Sequence, residues 1–153
     1  MIKISKLADY SVVILSTMST HSHDLMSAST VSELTKLPEP TVSKVMKLLS
    51  KAQIIQSTRG INGGYSLIKD PEKITMESVI TAIDGPIAIT ACADGAEPDC
   101  SLSHSCSLRG RWDGVNAALR SALETVTLAD MLKIGGAQTI KTHETKDAIH
   151  GSH

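Results

Sequence analysis

Apolar residues recur along the start of the chain at three- and four-residue steps: Leu7, Tyr10, Ile14 and Met18, with Val13 and Leu15 widening the stripe. That period predicts an amphipathic helix that begins after Ser5 and ends near His21 to Asp24. A second, shorter helix is expected after Ser27 or Ser29, with Ala28, Val31, Leu34 and Leu37 inward and capping-box spacing from Thr30 to Glu33. Lys36-Leu37-Pro38 breaks the pattern. Pro38 and Pro40 fall where the first turn of a third helix tolerates them. Val42, Val45, Met46 and Leu49 then form one face of that helix, and Thr41, Ser43, Lys44, Lys47 and Lys51 the other. A short helix, a tight turn and a helix with one apolar and one basic-hydroxyl face is a helix-turn-helix pattern.

Two strand-like runs follow, Ile54 to Thr58 and Tyr65 to Ile68, on either side of Arg59-Gly60-Ile61-Asn62-Gly63-Gly64. They predict a β-hairpin, and a hairpin directly after a recognition helix is a wing. Arg59 is placed to reach a minor groove, where negative potential favours arginine. Gly63 and Gly64 permit positive φ or close backbone approach. Thr75 is expected to cap a fourth helix, with Ile74 and Val79 as a hydrophobic staple, ending at Gly85-Pro86. After Cys106 the pattern predicts a long helix: Leu108, Trp112, Val115, Leu119, Ala122 and Val126 step 4-3-4-3-4 like a heptad seam. We read it as a dimerisation helix, the competing reading being a helix packed on its own domain. Thr127 to Asp130 caps a last short turn, and residues 133–153 read as a disordered tail.

Composition bounds the class. Hydrophobic residues make up 41% of the 153 positions, enough for a core, and with no Phe that core is aliphatic. No run approaches the ~18 apolar residues of a membrane span, and Met1-Ile2-Lys3-Ile4 does not open a signal peptide, so a cytoplasmic location is expected. The net charge of -1 says nothing for nucleic acid, but its distribution does. Residues 36–69 hold six basic residues against one acid, Glu39, the footprint of a DNA-binding face.

The three cysteines, Cys92, Cys100 and Cys106, all lie in one polar stretch with C-x7-C-x5-C spacing. In a reducing compartment such a group suggests metal binding or catalysis rather than disulfides, and an odd count cannot fully pair. Structural zinc sites favour shorter C-x2–4-C pairs. The longer spacings favour a loop around an iron–sulfur cluster, with zinc and thiol-redox sensing left open. A cluster wants four ligands, so a fourth must come from His, a carboxylate or another element. No Cys–His–acid arrangement or phosphate-cradling loop points to an enzyme. A small metalloprotein acting through protein partners is disfavoured by the basic face.

Taken together, MIKISKLADYSVVIL, STRGINGGYSLIKDP, the three-cysteine loop and CSLRGRWDGVNAALRSALETVTLADML resemble the Rrf-two family of iron–sulfur transcriptional regulators, the group that includes IscR and NsrR. The resemblance runs from Met1 to about Leu132, and the opening is similar to members linked to the SUF cluster-assembly operon. It implies a mainly α fold: a winged helix-turn-helix over 1–86, a cluster loop over 87–106 and a dimerisation helix over 107–132. It further implies a homodimer on a near-palindromic double-stranded operator, in a regulator that senses cluster status. Cys92, Cys100 and Cys106 would ligate a [2Fe–2S] cluster, or a [4Fe–4S] one. IscR-like members take the fourth ligand from a histidine three residues after the last cysteine, a position that here is Arg109. NsrR-like members use an acidic residue on the partner's first helix, which Asp9 matches, so Asp9 in trans is preferred over His104. By position, the DNA contacts would be Thr41, Ser43, Lys44, Lys47, Arg59 and Gly60.

Overall fold

Ser5 opens the first helix in the way its sequence requires. Its hydroxyl accepts the N–H of Ala8 at 3.1 Å, capping α1 (Lys6–Thr20). The computed structural model describes residues 3–90, 107 and 110–133. Over these the order is α1, α2 (Ala28–Thr35), α3 (Glu39–Lys51), β1 (Ile55–Thr58), β2 (Gly64–Leu67), a 3₁₀ turn at Pro71–Lys73, α4 (Met76–Asp84), α5 (Asp113–Thr125) and α6 (Leu128–Leu132). The mainly helical architecture with a hairpin wing is as the patterning predicts.

Of the two starts that the sequence offers for α2, the structure takes Ser27. Ser27 accepts the N–H of Thr30 at 3.1 Å, so the cap stands three residues ahead of the Thr30–Glu33 spacing. Starting the helix at Ala28 lets Val31 reach the core. At its other end α2 stops on Lys36 in a left-handed conformation (φ 62°), and the hydroxyl of Ser32 ties the turn by donating to the carbonyl of Leu37 at 2.6 Å. Pro38 precedes α3 and Pro40 sits in its first turn, where a missing N–H costs nothing.

One aliphatic core joins these elements. Ile14 and Leu15 of α1, Val31 of α2, Val42, Val45, Met46 and Leu49 of α3, Ile55 of β1, Val79 of α4 and Leu128 of α6 are all fully buried. Each such side chain contributes roughly 1.5–3 kcal/mol by leaving water. Ile74 and Val79 are buried on either side of the Thr75 cap, as a staple should be.

The wing is anchored from an unexpected side. Met26, in the connection between α1 and α2, exchanges two backbone hydrogen bonds with Tyr65 of β2, at 3.0 and 2.8 Å. β1 and β2 pair antiparallel from Ile55↔Leu67 to Thr58↔Gly64. The hairpin is thus held to the helical body along one edge.

The C-terminal helix starts later than its heptad pattern suggests. Ser107 and Gly110–Trp112 are turns, Gly110 with φ 77°, and α5 begins at Asp113. It is also fastened to its own domain. The N–H of Met76 donates to Val126 O and that of Leu128 to Ile74 O, each at 2.8 Å, which joins the α5–α6 junction to the start of α4. The packing of α5 on its own domain, the competing reading, is therefore present. Asn116 and Leu123 face the body, while Trp112, Val115 and Ala122, along the flank of that face, stay exposed. α6 opens on a full capping box between Thr127 and Asp130. The expectations for the loop at 91–106 and the tail beyond 133 lie outside the described residues.

Candidate nucleic-acid interface

The recognition helix presents two chemically distinct sides. Val42, Val45, Met46 and Leu49 are sunk in the core, which leaves Lys44 and Lys47, one turn apart, pointing away from it. Thr41 and Ser43 are half-buried at the edge of that outward face. Lys51 extends the basic row by one further turn. None of Lys44, Lys47, Lys51 and Arg59 has an ion pair among the described residues. Cations left unpaired on one face are available to phosphates, whose contacts dominate affinity for a duplex.

The wing supplies the second contact surface. Its two-strand ladder ends at Thr58↔Gly64, and Gly63 N–H donates to Gly60 O at 3.0 Å to close the tip. Gly60 has φ 122°, a conformation a side chain would strain. Gly63 is required for a different reason: a Cβ there would lie 2.2 Å from the carbonyl oxygen of Thr58. Arg59 and Gly60 are both exposed. Ile61 stands fully clear of the protein at the turn, an apolar tip to which the sequence reading gave no role. The signal for it was an isoleucine inside a glycine-rich turn.

The expected metal ligands divide between described and undescribed parts of the chain. Cys92, Cys100, Cys106 and His104 lie outside the described residues, as does Arg109. Among the described residues, no three His, Cys, Asp or Glu side chains gather as a ligand set. Asp9 sits in the first turn of α1, exposed, and its carboxylate has no hydrogen bond or ion pair among the described residues. It borders a groove of about 440 Å³ lined by apolar side chains of four helices, Val12, Met76, Ile80, Leu123 and Met131 among them.

A helix-turn-helix with a basic recognition face and a glycine-tipped wing defines a winged-helix DNA-binding protein. Residues 4–134 match the model of the Rrf2 family, described as iron-dependent transcriptional regulators, and the chain belongs to that family. It is 27% identical over 131 residues to the HTH-type transcriptional regulator NsrR of Shouchella clausii, covering 85% of this chain and 88% of that one. The structure of CymR, the global cysteine regulator of B. subtilis, superposes with a TM-score of 0.65 at 25% identity, over 89% of this chain and 100% of that one. T. potens IscR does so with a TM-score of 0.61 at 28% identity, over 86% and 87%. The chain is thus a DNA-binding transcriptional regulator and not an enzyme. No helix among the described residues is long and apolar enough to cross a membrane.

Proposed function

We propose that this regulator senses the state of an iron–sulfur cluster held by Cys92, Cys100, Cys106 and the carboxylate of Asp9 from a second subunit, and that it controls cluster-assembly genes. The donor set fits such a group. Three soft thiolates suit iron–sulfur chemistry, and Asp9 is the exposed carboxylate, without a partner among the described residues, that carries the reading. A bound cluster, [2Fe–2S] in preference to [4Fe–4S], would supply redox and nitric-oxide reactivity. An oxygen ligand in place of a fourth thiolate leaves one labile corner, which suits sensing.

The homodimer in this reading uses the outward stripe of α5. Trp112 is 43% exposed and Val115 50%, and a heptad seam of that kind stabilises by pairing with a second helix. Two α3 helices in a two-fold dimer address half-sites about one turn, roughly 34 Å, or a multiple apart. In the reducing cytoplasm the thiols stay available as ligands. Thr41, Ser43, Lys44, Lys47, Arg59 and Gly60 make the operator contacts.

Anaerobically purified protein carrying iron and sulfide in equal amounts, with sulfur-to-iron absorbance that Cys92→Ala abolishes, is the expected result. Operator affinity that is identical with and without the cluster would overturn the sensing claim. Likeness to CymR favours a second reading, a thiol-redox or zinc regulator without a cluster, and zinc alone in the same assay would establish it.

A further inference from the structure

Asn116 is fully buried on the inner face of α5, one helical repeat from Leu123. An apolar residue there would continue the packed stripe, and burying an amide without partners is unfavourable. Its carboxamide is satisfied at both ends by a single stretch of backbone: Nδ2 donates to Ile87 O at 2.9 Å, and Ile89 N–H donates to Oδ1 at 3.1 Å. A carboxamide offers a neutral donor and a neutral acceptor side by side, which matches this pairing. The bracketed stretch is the connector between α4 and the cysteine segment. Its start is held as well, since Asp84, the last residue of α4, accepts a hydrogen bond from Ser5.

We propose that Asn116 is a positioning residue that locks the register of Ile87 to Ile89 on α5 and so fixes the starting point of the segment that carries the three thiols. A slip of one residue would move the backbone by up to ~3.8 Å, beyond what either hydrogen bond tolerates. Cys92 follows Ile89 by three positions, and Asp113, where the chain returns to regular structure, is three positions before Asn116. The stretch that leads into the thiol-bearing segment and the residue at which regular structure resumes after it thus lie within one turn of the same helix. Holding the ends lowers the entropy that the segment must surrender when a ligand gathers its thiols.

The inference rests on reading the cysteine segment as a metal site, and its test separates the two. Reduced full-length protein is titrated anaerobically with cobalt(II), whose thiolate charge-transfer absorbance reports on the cysteines whether or not a cluster assembles. Exchange of the Ile89 amide is measured on the metal-free protein. Asn116→Asp and Asn116→Leu should each bind cobalt about tenfold more weakly than wild type and lose protection at Ile89. Val79→Ala, a core change away from the connector, should lower stability and leave cobalt affinity unchanged. Cobalt affinity that is the same in the Asn116 variants as in wild type, or Ile89 exchange that does not respond to them, overturns the positioning role even if wild type assembles a cluster. The expected cobalt effect in a protein that assembles no cluster upholds it and removes only the cluster reading. A wild-type chain that takes up no cobalt overturns both.

Discussion

The hydroxyl of Ser5 donates to Oδ1 of Asp84 at 2.8 Å, 79 residues away, while accepting the N–H of Ala8. One side chain thus caps α1 and joins it to the end of α4. Ser5→Ala removes both contacts and should cost about 1 kcal/mol or somewhat more, the usual loss for a cap. Asp84→Ala removes only the exposed bond and should cost clearly less. Urea unfolding of the two variants checks the order, and equal losses would mean that the cap contributes nothing.

Wing geometry should matter to DNA more than to stability. In Gly63→Ala the new methyl must displace the Thr58 carbonyl, and in Gly60→Ala a side chain is forced to positive φ, at a cost of roughly 1–3 kcal/mol. The strain is relieved most easily by moving the tip. We expect weakened operator binding in both variants, with melting temperatures lowered only as far as the strain is not relieved, by a few degrees, as read by fluorescence anisotropy and calorimetry on the same samples.

Lys44, Lys47 and Arg59 are exposed cations without ion pairs among the described residues. If each meets a phosphate, replacing any one by Ala lowers the slope of log affinity against log salt by about one unit. A slope that does not change for Arg59→Ala, together with altered sequence preference, would instead assign that side chain to the groove floor.

Lys36 holds a left-handed conformation in the turn of the helix-turn-helix. Glycine is the usual residue there because it has no Cβ to crowd the following carbonyl. Lys36→Gly should therefore stabilise the chain by about 0.5–1 kcal/mol, the relief exceeding the entropy that glycine adds to the unfolded state. Denaturant midpoints at constant m-value decide the sign.

Asp130 is held below the ordinary aspartate value of 3.8, first by the backbone N–H of Thr127, then by its hydroxyl and by Lys133. A carboxyl lowered on folding stabilises above its unfolded pKa, and the benefit fades as pH falls through the lower, folded one. The gap in melting temperature between wild type and Asp130→Ala should accordingly be constant from neutral pH to about 5 and shrink in stronger acid. A gap that widens there would contradict the capping box.

Local chemistry alone determined much of this protein. The stripe of Val42, Val45, Met46 and Leu49, the caps at Ser5, Thr75 and Thr127, and the glycines between two β-rich runs each depend on neighbours within about one turn or one hairpin. They could be read in order along the chain, and they gave the winged helix and its basic face. The placement of α2's cap at Ser27 shows the limit even of local reading, because two serines offered the same chemistry and the burial of Val31 chose between them. Only the tertiary structure decided the pairing of Met26 with Tyr65, the bond from Ser5 to Asp84, the tie of Val126 and Leu128 to the start of α4, and the use of Asn116. These join groups far apart in sequence through backbone atoms or single polar side chains, which leave no periodic trace. A heptad pattern likewise reports that α5 has an apolar seam, but not that the neighbouring face, and Val126 of the seam itself, are already fastened to their own domain.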